Sequence, residues 1–484
     1  MDNLKEKAKS AFIWDFIGKF AKTGMGFIVS IVLARLLEPS EFGLVAMIMV
    51  IIMMAQIFTD VGLGGALIQR RRVLDIHYDS VFYFNLSIAS LLTVITYFSA
   101  SAISEFYNNS ALVPLAKVLS FSFVIGALAS VQNVKLRKEL NIALMTKINL
   151  LSSFLSGVVG ISLAFYGAGV WSLVTQQLLQ GILYNLIIWN KTGWRPSLKF
   201  SFKALFQLWG FGFRMFLTGL IDKVFTQLDY MAIGKLFDAA SLGFYQRAKS
   251  LNLFVIRYTS ESLMNILFPV LSSVQNDLPR LQKIVLKVYG MISFITFFLL
   301  GGLYLVSEEL IVFLFGEKWL PSVFFFQILA LSGFVQPMGA VLMNILTSRG
   351  KSKTVLKMAV YKVIVALINF GVLYQWGIAA FLYGLIAVGL WDLFLNILFA
   401  SREIKLSFMT FAKPFIVQVL IAVTAVLLSQ MATASLHMLA IFMLFMKGTL
   451  FTMIYLLVNY VARTSSFEYF LEQIMPMIKK RMHK

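Results

Sequence analysis

The stretch LARLLEPSEFG, from Leu33 to Gly43, returns at an offset of 200 residues as IGKLFDAASLG, from Ile233 to Gly243. A second similarity pairs AFYGAGVWSLVTQQLLQGILYNLIIW, Ala164 to Trp189, with VLYQWGIAAFLYGLIAVGLWDLFLNILF, Val372 to Phe399, at an offset near 208. Both pairs lie among long apolar runs. Internal repeats in such a setting are typical of membrane transporters. The sequence therefore predicts a membrane protein that contains the same unit twice.

Composition supports an all-α polytopic membrane protein. Apolar residues make up 59% of the chain and charged residues 13%, and the mean hydropathy is +0.83. A spanning helix needs about 20 mostly apolar residues, whereas strands of a lipid-facing barrel would alternate apolar and polar residues. Fourteen stretches qualify as helices: 11–37, 42–69, 81–104, 112–134, 142–166, 169–189, 205–234, 241–271, 282–305, 322–347, 355–375, 378–400, 411–430 and 437–460.

Every second predicted loop is rich in Lys and Arg. The positive-inside rule then places both termini in the cytoplasm, which agrees with an even number of helices. The basic cytoplasmic loops therefore account for most of the net charge of +20, which gives no reason to expect nucleic-acid binding.

The repeats divide the helices into parallel six-helix lobes. Residues 1–200 form a predicted N-terminal lobe and residues 201–405 its repeat. Residues 406–484 add two helices and a basic cytoplasmic tail. Because six is an even number, both lobes enter the membrane from the same side.

Several chemistries lack the residues that they need. The chain has no cysteine, and its three histidines, His77, His437 and His483, are far apart in sequence, so we expect no metal site. There is no phosphate-binding glycine loop or nucleophile motif, and we expect no cofactor and no catalytic residues. The segment DVGLGG, Asp60 to Gly65, ends an apolar helix without a preceding strand, which favours a bend or close helix packing over nucleotide binding.

Ionisable side chains at membrane depth are the candidate functional residues, because each one facing lipid costs about 2.5 to 3.5 kcal/mol. Asp15, Lys19 and Lys22 share one face of the first helix, and Arg214, Asp222 and Asp229 share one face of the seventh. Cations outnumber carboxylates in this set, which predicts a central cavity that attracts an anion such as a diphosphate. The predicted substrate-binding residues are Lys19, Lys22, Arg214, Arg247, Arg257 and Lys362. The carboxylates that could couple transport to H⁺ or Na⁺ are Asp60, Asp222, Asp229 and Glu261.

Plainer interpretations stay open at this point. Lys22 can extend its charged end to the membrane surface, and Asp222 can form a structural ion pair with Arg214 or Lys223.

Three segments resemble bacterial polysaccharide exporters, the lipid-linked oligosaccharide flippases related to multidrug-and-toxin extrusion (MATE) proteins. They are LARLLEPSEFGLVAM, DVGLGGALIQ and LFDAASLGFYQRAKSL, and LGFYQRAKSL, Leu242 to Leu251, is the most specific piece. The resemblance covers essentially the whole chain. It is strongest to the branch of colanic acid, teichuronic acid and lipopolysaccharide biosynthesis.

This resemblance implies a MATE-like V of two six-helix bundles in the bacterial inner membrane. It further implies an undecaprenyl-diphosphate-linked glycan bound between the lobes, with the diphosphate near Lys19, Arg214, Arg247 and Arg257. Membrane lipids, a polysaccharide polymerase and assembly proteins are the expected partners. Two other functions remain open: an ion-coupled multidrug exporter, which should have a more acidic cavity, and a glycan polymerase or ligase, which should have a large outward loop.

Overall fold

The computed structural model describes residues 2–436 and 438–472. Within these ranges the regular structure is entirely helical, which confirms the all-α prediction. Nine segments of the described part are long and apolar enough to cross a membrane, and one of them, Lys353–Glu403, has 51 residues, which is enough for two crossings. The protein is therefore a multi-pass membrane protein. The number of fourteen spanning helices stays a prediction.

The chain forms two compact units, residues 1–246 and 247–484. The predicted lobe boundaries at residues 200 and 405 stay predictions. The first unit contains α1 (Asp2–Leu36), α2 (Pro39–Ala55), α3 (Leu63–Gln69), α4 (Asp75–Phe98), α5 (Ala100–Tyr107), α6 (Leu112–Leu119), α7 (Ser122–Leu128), α8 (Ser130–Lys138), α9 (Ile142–Phe165), α10 (Val170–Lys191), α11 (Phe202–Leu236) and the start of α12 (Ala239–Ser273).

The second unit contains the rest of α12 and eight further helices. They are α13 (Leu278–Leu305), α14 (Ser307–Phe315), α15 (Pro321–Ser332), α16 (Val335–Ser348), α17 (Ser352–Gly371), α18 (Gly377–Glu403), α19 (Phe408–Thr433) and α20 (Ala440–Val461). Short 3-10 turns occupy Gln56–Thr59, Glu317–Trp319 and Leu373–Trp376.

The repeated sequence forms the same helix break twice. Helix α1 ends at Leu36 and α11 at Leu236, and the next helices begin at Pro39 and Ala239. The second break is capped by the Asp238 carboxylate, which accepts from the Ser241 backbone N–H at 2.6 Å. The two breaks therefore lie 200 residues apart, at the same offset as the two copies of the motif.

The two breaks also contact each other within the first unit. A methyl group at Gly43 would lie 1.6 Å from the Ala239 carbonyl oxygen, and one at Gly243 would lie 2.0 Å from that of Pro39. Only glycine permits such an approach, because any Cβ would overlap a backbone atom. Each copy of the motif therefore packs its glycine against the helix start of the other copy.

The DVGLGG segment forms a bend, as predicted. Val61 has φ +43° and Gly62 has φ +72°, so the chain leaves the 3-10 turn and re-enters a helix at Leu63. A Cβ on Gly62 would lie 2.2 Å from the carbonyl oxygen of Gly212 in α11. Gly62 thus permits both the left-handed backbone conformation and the close contact with α11.

A buried polar network connects the last two helices to α13 within the second unit. The Tyr455 hydroxyl lies 2.5 Å from the Gln418 side-chain oxygen and 3.0 Å from the Phe294 carbonyl oxygen, either of which can accept its proton, and Gln418 donates to Asn459 at 2.8 Å. Interhelical hydrogen bonds in membranes contribute about 0.6 kcal/mol each on average. Helices α13, α19 and α20 are therefore joined by polar contacts as well as by apolar packing.

Candidate functional site

A polar cavity of about 390 Å³ lies inside the first unit. Of the predicted substrate-binding residues, Lys22 on α1 lines it and is exposed there. The other lining residues come from α7, α8, α9 and α10 and from the 3-10 turn after α2. They are Gln56, Ser122, Ile125, Gly126, Ala129, Asn133, Arg137, Met145, Asn149, Gln177, Leu178, Gln180, Gly181, Tyr184 and Asn185.

A neighbouring cavity of about 250 Å³ contains Asp60, one of the predicted ion-coupling carboxylates. The bend at DVGLGG positions it: the Gly64 backbone N–H donates to Asp60 Oδ1 at 2.8 Å. The amide of Asn85 on α4 approaches the same oxygen at 3.4 Å. A Cβ on Gly64 would lie 3.0 Å from the carboxylate, so glycine keeps the chain close to Asp60.

Arg137 and Asn133 line both cavities. Arg137 is an exposed residue in the last turn of α8, and Asn133 lies one helical turn before it. Sequence reasoning missed both, because Arg137 belongs to the basic cluster Lys135–Lys138 that membrane topology already explained. The overlooked signal was the recurrence of amide side chains at helical spacing in otherwise apolar helices.

Arg247, a predicted substrate ligand, lies in the second unit and is only 6% exposed. Its guanidinium carbon is 4.9 Å from the centre of the Phe315 ring and 5.1 Å from that of Trp319. Cation–π contacts of this kind hold an arginine against aromatic faces. The structure thus gives Arg247 a packing role, and substrate binding by this residue stays a prediction.

Lys362, also predicted to bind substrate, forms an ion pair with Asp392 at 2.8 Å, between α17 and α18. The Lys362 side chain is 49% exposed and that of Asp392 15%. In the first unit, Asp229 accepts hydrogen bonds from the Tyr245 hydroxyl and from the Tyr230 backbone N–H, the latter at 2.9 Å. These carboxylates therefore have identified protein partners.

The side chains of five predicted site residues lie outside the part that the structure describes: Lys19, Arg214, Arg257, Asp222 and Glu261. Their roles stay predictions. Within the described residues, no group of three His, Asp or Glu side chains is arranged to hold a metal ion.

The chemistry of the larger cavity follows from its lining. Amide groups offer both donors and acceptors, Lys22 and Arg137 add positive charge, and no Asp or Glu is among the described lining residues. Such a surface solvates hydroxyl groups and attracts anions. It is an unusual interior for membrane helices unless a polar molecule enters it.

Known proteins are similar to this chain in sequence or in fold. The lipopolysaccharide biosynthesis protein WzxC of Escherichia coli (strain K12) is 25% identical over 367 residues, covering 74% of each chain. The teichuronic acid biosynthesis protein TuaB of Bacillus subtilis (strain 168) is 26% identical over 351 residues, covering 71% of this chain and 72% of TuaB. In three dimensions, the lipid II flippase MurJ in an inward closed conformation superposes with a TM-score of 0.74 at 15% identity, over 93% of this chain and 99% of MurJ.

A family model also matches the chain. Residues 32–324, more than half of the chain, match the family described as "Polysaccharide biosynthesis protein". That range includes both copies of the repeated helix break, the DVGLGG bend and the helices α8 and α10 that line the cavity. The chain belongs to the polysaccharide biosynthesis protein family.

Proposed function

We propose that this protein is a flippase that moves an undecaprenyl-diphosphate-linked oligosaccharide from the cytoplasmic to the outer leaflet for surface polysaccharide synthesis. The observation that carries the proposal is the polar, cationic cavity in the first unit of a membrane protein from this family. The relatives act in lipopolysaccharide and teichuronic acid biosynthesis, and MurJ, which shares the fold, flips lipid II.

The cavity lowers the main free-energy barrier to this transport. A charged group at the centre of a bilayer costs several kcal/mol or more, and a sugar loses its hydrogen bonds to water there. Lys22, Arg137 and the amides replace those interactions along the path. The polyprenyl tail needs no such replacement, because it stays in lipid.

The predicted orientation places the cavity toward the cytoplasm. Arg137 lies at the end of α8, next to the basic loop that the positive-inside rule assigns to that side. The substrate would enter from the leaflet where it is made. Exposure of the site first to one side and then to the other completes the transfer by alternating access. Both termini are cytoplasmic in this arrangement, in a bacterial inner membrane.

Asp60 is the carboxylate best placed to couple an ion to this cycle. Asp60 and Arg137 line the smaller cavity together, and Arg137 also lines the larger cavity, which is the proposed substrate site. Uptake of H⁺ or Na⁺ by Asp60 would change how strongly the carboxylate attracts Arg137. Asp222, Asp229 and Glu261 remain further candidates.

The alternatives have less support. A multidrug exporter for cationic compounds would need carboxylates where the larger cavity has Lys22 and Arg137. A polymerase or ligase would need a platform outside the membrane, but the longest connection between the described helices is residues 192–201. A polymerase acting next on the flipped glycan is instead a proposed partner.

The test is deletion of the gene in its host, followed by mass spectrometry of lipid-linked oligosaccharide with a sidedness probe. Accumulation on the cytoplasmic leaflet, with loss of surface polymer, is the expected result. Accumulation on the outer face would indicate a polymerase or ligase. No accumulation together with increased drug sensitivity would support the exporter.

A further inference from the structure

A cavity of about 550 Å³ lies in the second unit, at α14, the 3-10 turn after it and the connection from α19 to α20. We call it the acidic cavity, because three glutamates are in its wall and no Lys or Arg is among its described lining residues. Its volume lies within the range of small-ligand pockets. The lining residues are Glu308, Glu309, Val312, Glu317, Leu320, Leu436, Met438, Leu439, Ala440 and Met443.

The most buried of the three glutamates, Glu309, is held by an ion pair within the protein. It is 8% exposed, and its Oε1 accepts a hydrogen bond from the Lys447 ammonium on α20. The other carboxylate oxygen, Oε2, is buried and accepts no hydrogen bond within the part of the chain that the structure describes. Buried acceptors in native proteins nearly always have a donor. Glu309 is therefore able to accept a further hydrogen bond at the cavity wall.

The other two glutamates, Glu308 and Glu317, are exposed and give the acidic cavity its net charge. The charge of Lys447 offsets that of Glu309, which leaves two negative charges on the wall. Carboxylates around a recess attract a cation and disfavour an anion. Within the described residues no three acidic or histidine side chains can hold a metal ion. The charge of the cavity therefore favours an organic cation, and a primary ammonium offers three donors to the carboxylates.

The rest of the wall is apolar. Leu439 is 71% exposed and Met438 is 54% exposed, although both belong to the wall of the acidic cavity. An apolar group bound there would cover this surface, which is favourable in proportion to the area removed from water. Methionine side chains such as Met438 and Met443 also adjust to ligands of different shape. The wall thus combines a charged part with an apolar part, as a ligand of the same two parts requires.

The predicted orientation places the acidic cavity on the outer side of the membrane. Residues 288–317 and 414–446 contain no Lys or Arg, and the positive-inside rule assigns connections of this composition to the outer side. Ligands can therefore reach the cavity from the outer leaflet or from the outside medium.

We propose that the acidic cavity binds a primary ammonium that carries an apolar group, with the ammonium against Glu308 and Glu317 and the apolar group on Leu439 and Met443. The cavity lies in the second unit, so this site is separate from the cavity on which the proposed function depends. The ammonium belongs either to the headgroup of an aminophospholipid or to a free cationic amphiphile. The two sources share the recognised chemistry and are separated by the test.

A single thiol on the cavity wall provides the assay, because the chain has no cysteine of its own. Full-length Met443→Cys in phosphatidylcholine nanodiscs is labelled with a maleimide, alone or with 4-phenylbutylammonium, 4-phenylbutanol or 4-phenylbutyrate. These probes share one apolar group and differ in charge. We expect the ammonium probe to slow labelling at concentrations at which the alcohol and the carboxylate have no effect. Slow labelling without any probe in phosphatidylethanolamine nanodiscs assigns the site to an aminophospholipid, and slowing by the probe alone assigns it to a free amphiphile.

Glu308→Gln combined with Glu317→Gln separates a charged site from apolar crowding. Both side chains are exposed, so the two substitutions remove charge with little effect on packing. We expect the concentration of 4-phenylbutylammonium that gives half-maximal protection to rise about tenfold, because charge-assisted hydrogen bonds are removed. Glu105→Gln combined with Glu468→Gln removes two exposed carboxylates outside the cavity and is the matched control. It should leave protection unchanged.

Three outcomes would overturn the proposal. Equal protection by 4-phenylbutanol would reduce the site to an apolar recess. Unchanged protection after substitution of Glu308 and Glu317 would mean that these carboxylates are only solvated surface groups. Labelling that neither the ammonium probe nor phosphatidylethanolamine slows would remove the site. None of these results decides the flippase proposal, because the assay measures binding in the second unit and not transport.

Discussion

The guanidinium of Arg247 lies over the indole ring of Trp319, 5.1 Å from the ring centre, and joins α12 to the turn after α14. Phe315, at 4.9 Å, offers it a second aromatic face. Both rings are fully buried, at 0% and 1% exposure. In this setting aromatic faces take the place of water around the guanidinium. The planar shape of the group is as important for this contact as its charge.

Arg247→Lys should therefore destabilise the protein although it keeps the charge. Lysine has no flat group to stack, and we expect a loss of about 1–2 kcal/mol. Thermal unfolding followed by tryptophan fluorescence measures it, with the exposed Arg402→Lys as the control. Unchanged stability combined with lost transport would instead assign Arg247 to substrate binding.

Asp60→Asn should preserve the bend and abolish ion coupling. The asparagine oxygen can still accept from the Gly64 N–H, but the side chain can no longer carry a negative charge. We expect transport driven by an ion gradient to fall at least about tenfold, or ~1.4 kcal/mol in activation free energy. The assay is flipping in proteoliposomes with and without a proton or sodium gradient.

Asp75→Asn, at an exposed position in the first turn of α4, is the matched control for Asp60. It removes one negative charge without touching either cavity. A gradient response in Asp60→Asn equal to that of the unmodified protein would move the coupling site elsewhere, with Asp229 next in line.

The Lys362–Asp392 pair should behave as a unit. Removal of either partner leaves an unpaired charge between α17 and α18, whereas removal of both leaves none. Lys362→Met alone should lower transport more than Lys362→Met combined with Asp392→Asn. A double-mutant cycle measures the coupling, and additive effects of the two substitutions would contradict a functional ion pair.

Gly43→Ala should disrupt the contact between the two helix breaks. The new methyl group would meet the Ala239 carbonyl oxygen, a backbone atom that cannot rotate away. Forced overpacking typically costs about 1–3 kcal/mol. The mid-transition temperature should fall in Gly43→Ala and in Gly243→Ala alike. Gly448→Ala on α20, where a Cβ meets no atom within 4 Å, should leave it unchanged.

Much of the fold could be predicted, because the length of each apolar run and the offset between the repeated motifs can be read directly from the sequence. The ends of α1 and α11 at Leu36 and Leu236 follow from the aligned motifs. The internal breaks of 112–134 could not be read in this way. Ser120 donates to the Lys117 carbonyl and Ser130 to that of Ala127, at the two points where the helix is interrupted within this apolar run.

The candidate site was predicted only in part. Lys22 and Asp60 were found because a charge at membrane depth is conspicuous, and both line cavities. The amides were missed because a single uncharged Asn or Gln in an apolar run is less conspicuous in the sequence than a charged residue. Arg247 was identified from its sequence position as a cation at membrane depth. Its aromatic partners could not be identified in this way, because they lie some 70 residues further along the chain.

The paired glycine contacts are also reciprocal. Position 43 of the first copy meets position 39 of the second, and position 43 of the second meets position 39 of the first. Reciprocal contacts of this form are the mark of a two-fold axis between identical subunits. The arrangement therefore gives this part of the first unit the local symmetry of an isologous interface, although both surfaces belong to one chain.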